Sequence, residues 1–158
     1  MIAEAHLQSV CCDLLADVVR STGSGKLRVA GSSMLPAILP GDVLTVQRRR
    51  SDELRPGEIV VIIRDGKLTA HRIINISEED LITRGDSLPT ADLPVQFPEI
   101  VGRVESIRRN GRQVSLKFSG WKRTIAAILR RSEWCTGVYL RLGSRVRRFG
   151  ISEAPAEL

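Results

Sequence analysis

Between residues 3 and 21 (AEAHLQSVCCDLLADVVRS) apolar side chains recur at helical spacing: Ala5, Leu7, Val10, Cys11, Leu14, Leu15 and Val18. Glu4 stands early and Arg20 late, the order the helix dipole favours, so the spacing predicts one amphipathic helix. The run SerThrGlySerGly at 21–25 predicts the loop that ends it. From Leu27 the period shortens into β-rich runs at 27–30, 43–47, 58–64, 67–76, 81–84, 100–109 and 113–118. Turn signals separate them at Pro40-Gly41-Asp42, Pro56-Gly57-Glu58, Asp65-Gly66, Gly85-Asp86 and Asn110-Gly111. Asp-Gly and Asn-Gly accept the left-handed backbone of two-residue hairpins, which predicts an antiparallel core with at most one short helix, around Met34–Leu39. After Gly120 helical spacing returns: Trp121, Ile125, Ile128 and Leu129 share one face, then Trp134, Val138, Leu142 and Val146 recur in steps of four. The predicted class is mainly β (α+β). It comprises a helix and loop at 1–25, a β domain at 26–119, a basic helical extension at 120–150 and an acidic tail at 151–158.

Charge sharpens this division. The 158 residues carry a net charge of +6, but residues 1–102 hold 11 basic and 14 acidic side chains, a net of −3. Residues 103–149 hold 13 basic residues against Glu105 and Glu133, a net of +11. The core and the basic end are therefore expected to do different jobs. Basic residues opposite a Trp, Leu and Ile face suit an anionic membrane surface, and residues 121–149 are read as docking there in preference to nucleic acid. Packing of this segment on the β domain is the third option.

Cys11, Cys12 and Cys135 cannot all pair, which argues against a disulfide scaffold and for a reducing compartment. With His6 and His71 the only histidines and no CxxC spacing, no metal or cofactor is predicted. No apolar run reaches a membrane-spanning length, and MIAEAHLQSV lacks the basic start of a signal peptide. A cytoplasmic protein, peripheral on the membrane at most, is the expectation.

The stretch GSSMLPAILPGD at 31–42 carries the candidate chemistry. A strand running into a glycine, two hydroxyls and a proline-bounded turn can present Ser33 amid backbone N–H groups, the layout of an acyl-transfer nucleophile. A serine needs a base, and His71 is the histidine of the β region, in KLTAHRII. Asp86 and Asp92, in RGDSLPTAD, are the carboxylates at turn positions after it. Each residue also has a plain structural reading: Ser33 as a helix cap, His71 as a satisfied strand histidine, Asp92 as a turn cap, Asp42 as a turn former and Arg72 as an ion-pairing residue.

Four motifs stand in order: Ser33-Met34-x-Pro36 before Gly41-Asp42; His71-Arg72-Ile73-Ile74; Gly85-Asp86 followed by Asp92; and Ile100-Val101-Gly102-Arg103-Val104. Over residues 27–106 the chain resembles type I signal peptidases and their relatives, the self-cleaving SOS-response repressors, with His-Arg as in the archaeal and endoplasmic-reticulum branch. The resemblance implies a signal-peptidase-like β core in which Ser33 is the nucleophile and His71 the general base. Asp92 would orient the histidine, with Asp86 as the second choice. It also implies an oxyanion hole built on the Ser33 N–H, and a substrate site that includes Met34 and Pro36. Many bacterial members place a hydroxyl two residues before the nucleophile; here that position is Gly31, so Ser32 or another amide would replace a donor whose loss costs about 3–4 kcal/mol. The expected activity is serine endopeptidase cleavage of leader or signal-like peptides within a peptide or protein precursor. A self-cleaving regulator and a decayed, basic membrane- or nucleic-acid-binding module are the alternatives.

Overall fold

The computed structural model describes residues 2–116, so the two basic helices and the acidic tail read from the sequence lie outside the described residues. The first element is helix α1 (Ile2–Thr22), as the helical spacing predicts. It runs on through Ser21 and Thr22, whose hydroxyls donate back to the Asp17 and Val18 carbonyls four residues earlier, at 2.7 Å each, so that these turn-favouring side chains are satisfied inside the last turn. The five-residue loop expected at 21–25 therefore shrinks. Gly23 alone, at φ 84°, turns the chain and donates to the Val19 carbonyl at 3.0 Å.

Eight antiparallel strands follow among the described residues: β1 (Ser24–Arg28), β2 (Val43–Gln47), β3 (Ile59–Arg64), β4 (Lys67–Ile76), β5 (Asp80–Arg84), β6 (Val95–Gln96), β7 (Ile100–Arg109) and β8 (Arg112–Val114). Their order in the sheet is β1-β2-β7-β3-β4-β5-β6, with β8 folded back on Ile107–Arg109. The mainly β architecture with an N-terminal helix agrees with the class read from the sequence. β3 and β4 meet through Asp65-Gly66, and β7 and β8 through Asn110-Gly111, all four residues at left-handed φ.

β3 reads IVVIIR without alternation because both of its faces are buried. Ile59 and Val61 join Ala16, Val19, Met34, Ile38, Leu44, Val101, Val104 and Ile107 in one cluster. Val60 and Ile62 join Leu54, Ile73, Leu81 and Val95 in a second. Each such Val or Ile contributes roughly 1.5–3 kcal/mol by leaving water, so the middle of the sheet is the stiff frame on which the loops are mounted.

Three local expectations are corrected. β1 begins three residues earlier than the predicted 27–30 run and ends at Arg28, although Val29 still exchanges hydrogen bonds with Asp42 and Gly41 at 2.9 and 2.7 Å. The short helix expected around Met34–Leu39 is a turn. Ile38 N–H reaches the Met34 carbonyl at 2.9 Å, but Pro36 has no N–H and that of Leu39 is taken by the Asp42 carboxylate at 2.8 Å. The run predicted at 113–118 pairs only over Arg112–Val114, and residues 117–118 lie outside the described residues.

Candidate active site

His71 is fixed first. It sits in the middle of β4, opposite Val60 of β3, with its side chain only 6% exposed. Its Nε2 lies 3.0 Å from the Ser33 Oγ and its Nδ1 lies 2.6 Å from the Asp92 Oδ2. A carboxylate only accepts, so the neutral tautomer that serves both contacts carries its proton on Nδ1 and leaves Nε2 to accept from the serine hydroxyl. Three residues separated by 38 and 21 positions thus form one hydrogen-bonded chain.

The support comes from the segment between β5 and β6. Thr83, fully buried on β5, donates its hydroxyl to the same Asp92 Oδ2 at 2.6 Å, and Asp92 N–H donates to the Thr83 carbonyl at 2.8 Å. Ser87 donates its N–H and its hydroxyl to the Ser33 carbonyl at 3.0 and 2.8 Å, and its hydroxyl also reaches the Ser32 carbonyl at 3.0 Å. Gly85 lies against the backbone of Ser33: a Cβ there would stand 2.6 Å from the Ser33 carbonyl oxygen. Among the described residues, no backbone carbonyl accepts from the Ser33 N–H.

Asp86 has a different partner. Arg72, the neighbour of His71 on β4, grips both of its carboxylate oxygens at 2.8 and 2.7 Å and donates to the Gly57 carbonyl at 2.7 Å. The bidentate pair is nearly buried, with side-chain exposures of 12% and 3%. The carboxylate facing the imidazole is that of Asp92, and Asp86 locks its loop to β4. Asp42 is likewise more than a turn former, holding Arg109 by two hydrogen bonds of 2.9 and 2.7 Å while nearly fully buried.

Beyond Asp92 the chain is tethered by Arg64, which donates to the Pro94 carbonyl at 2.7 Å and to both Glu99 oxygens at 2.7 and 2.8 Å. Hydrogen bonding from Arg64 holds the Glu99 carboxyl below the usual carboxylate range, against the opposing effect of burial. A second cluster joins Arg103 to Glu58 and Glu105, and Arg49 to Glu105. Burial there pushes Glu105 upward, but the hydrogen bonds from Arg49 and Arg103 outweigh it and the carboxyl is held low.

A cleft of about 370 Å³ opens at Ser33. One wall is the chain from Leu27 to Gly31 and the other is Lys67–Ala70 of β4, with Met34, Ile38 and Cys12 completing it. The free edge of β1 and the part of β4 that β5 leaves uncovered thus flank one groove. Of the expected substrate contacts, Met34 lines the cleft, whereas Pro36 is buried and is not among the lining residues. Ser32 is half-buried, with its carbonyl accepting from Ser87 and from Leu35 N–H. Thr83, Ser87 and Arg64 are not singled out by sequence reasoning, and Cys12 enters it only as an unpaired cysteine. Only Thr83 and Ser87 left a trace, as hydroxyls flanking Arg84-Gly85-Asp86. Among the described residues there is no cluster of three or more metal-binding side chains, and no helix is long and apolar enough to cross a membrane.

A β frame that joins a groove-lining serine through a histidine to an acid has the arrangement of one class, that of serine peptidases. The comparison with protein families agrees: residues 3–105 match Peptidase S24-like, and the chain belongs to that family of serine peptidases, which includes type I signal peptidases and SOS-repressor autoproteases. No curated protein matches it.

Proposed function

We propose that this protein is a serine endopeptidase that cleaves leader or signal-like peptides, with Ser33 as nucleophile, His71 as general base and Asp92 as the orienting acid. The observation that carries the proposal is the unbroken contact chain from the Ser33 Oγ through the His71 ring to Asp92, at 3.0 and 2.6 Å. The Ser33 hydroxyl attacks the scissile carbonyl carbon while its proton passes to Nε2. The resulting imidazolium is stabilised by Asp92 and returns the proton to the leaving amine as the C–N bond breaks. A water molecule then repeats the sequence on the acyl-enzyme, giving its proton to His71 and its oxygen to the released carboxylate. The Ser33 N–H is the first oxyanion donor, with Ser32 supplying the second in place of the hydroxyl that Gly31 lacks. An extended peptide enters as an added strand between β1 and β4.

The test is turnover of a leader-peptide substrate by the full chain and by Ser33→Ala and His71→Ala. Both variants are expected to lose turnover, and a fully active Ser33→Ala removes the proposal. Mass spectrometry of the intact purified protein separates the self-cleaving alternative, which would show a discrete truncation dependent on Ser33.

A further inference from the structure

Among the described residues, each wall of the cleft carries a cation with no carboxylate partner. Arg28 and Lys67 line it, both exposed, and no lining residue is acidic. Elsewhere Arg49, Arg64, Arg72, Arg103 and Arg109 are each paired with a carboxylate, but among the described residues none pairs with Arg28 or Lys67. The contrast is sharpest at the β3–β4 hairpin. Arg64 and Lys67 face each other in register, yet Glu99 neutralises the arginine and leaves the lysine to the groove.

The positions of these cations along the walls agree. Arg28 precedes Ser33 by five residues and Lys67 precedes His71 by four, and both segments lead into the contact between those two side chains. Extended chain covers at most about 3.3–3.6 Å per residue, so the cations stand no more than roughly 13–18 Å along their walls from the reacting serine. A substrate strand in the groove spans the same distance in four or five residues. Closer to Ser33 the walls include Ala30, Gly31 and Ala70, whose small size lets a substrate backbone come close to the serine. We infer that the site selects peptides carrying an acidic side chain four to five residues from the scissile bond, recognised by Arg28 and Lys67. The inference rests on the peptidase reading above and adds to it the charge class of the substrate.

The experiment uses the full chain and peptides with alanine at the two positions before the scissile bond. Asp, Asn or Lys is placed in turn at the fourth and fifth positions on either side. On one side Asp is expected to raise kcat/KM about three- to tenfold over Asn, mainly through KM, as two exposed ion pairs allow, and the gain should shrink as salt rises. Lys67→Glu and Arg28→Glu should invert the order, favouring the Lys peptide, while the Asn peptide reports that each variant is folded. Equal turnover of the Asp, Asn and Lys peptides overturns this inference and leaves the peptidase reading standing. Absence of Ser33-dependent turnover of every peptide, the Asn one included, overturns both.

Discussion

Substituting Gly85 by alanine adds one methyl group at the point where the 85–92 loop touches Ser33. The new Cβ would lie 2.6 Å from the Ser33 carbonyl oxygen and 2.9 Å from Cγ and Cδ1 of Leu88. The leucine can rotate, but the carbonyl is backbone and is also held by two hydrogen bonds from Ser87. Opening the contact to an ordinary C···O distance of about 3.4 Å moves the two segments apart by about 0.8 Å. Overpacking of this kind costs typically 1–3 kcal/mol, against about 0.4–1 kcal/mol gained from a stiffer unfolded chain. Destabilisation therefore wins, and Tm should fall by several degrees. Activity should suffer more, because a displacement approaching 1 Å at a reacting group is worth about 10²-fold in rate. Labelling of Ser33 by a fluorophosphonate is thus expected to slow by roughly 10- to 100-fold in Gly85→Ala. Gly85→Ala combined with Leu88→Ala should stay slow, because it leaves the carbonyl contact in place. Labelling of Gly85→Ala at the unmodified rate would refute the reasoning, and recovery in the double variant would show Leu88, not the Ser33 carbonyl, to be the obstacle.

Three further outcomes follow from the same contacts. Thr83→Val removes the hydroxyl that Asp92 Oδ2 accepts at 2.6 Å. A hydrogen bond to a charged group is worth about 1.5–3 kcal/mol, so labelling of Ser33 should slow about tenfold or more while Thr83→Ser keeps most of the rate; equal rates for the two variants would exclude the role. Glu99 and Glu105 titrate lower in the folded protein than in the unfolded chain, so their contribution is complete above the ordinary carboxylate range and is lost as pH falls through their folded values. Urea unfolding should accordingly find Glu99→Gln less stable than the unsubstituted protein at pH 7, with the gap closing below the reference value of 4.5; a gap independent of pH contradicts the assignment. Asp42→Asn keeps the shape but leaves Arg109 without its bidentate carboxylate, which should cost about 2–3 kcal/mol given that Arg109 is 29% exposed; a loss under about 0.5 kcal/mol would place the pair among ordinary surface contacts.

Local patterning located the frame well. β2, β4 and β7 span the residues their alternation predicts, and the Asp65-Gly66 and Asn110-Gly111 hairpins stand where two-residue turns were read. In these strands a period of two, a change of face and a turn residue all act within a few positions of one another. The errors lie where one specific hydrogen bond, near or far along the chain, overrides the periodicity. Pro36 and the side chain of Asp42 turn 34–39 away from helix, and the Ser21 and Thr22 hydroxyls stay within α1 by donating to the Asp17 and Val18 carbonyls. β6 is only two residues long and exists because Asp80 and Leu81 pair with it, which leaves no periodicity to detect. In the site, Ser33 and His71 were visible through motif order. Ser87 reaches Ser33 across 54 positions, and such a contact is set by the closed sheet rather than by spacing along the chain.

The two acids of the 85–92 loop show how the sheet resolves what the chain alone left open. His71 and Arg72 are consecutive on β4, so the pleat aims them at opposite faces. Each takes one carboxylate from the same loop, Asp92 for the imidazole and Asp86 for the guanidinium. The division follows from chemistry as much as from reach. A planar guanidinium on the nearly buried Asp86 makes a fixed two-point clamp, whereas Asp92 keeps 23% of its side chain exposed and meets a ring that, in the mechanism proposed above, gains and loses a proton. The clamp, the Ser87 bonds to Ser33 and the Arg64 tether beyond Asp92 immobilise the loop before any substrate arrives. The ordering cost of bringing Asp92 to His71 is thereby met in folding, and the proton transfer proposed above, from Ser33 to the imidazole, would take place in a setting that need not rearrange.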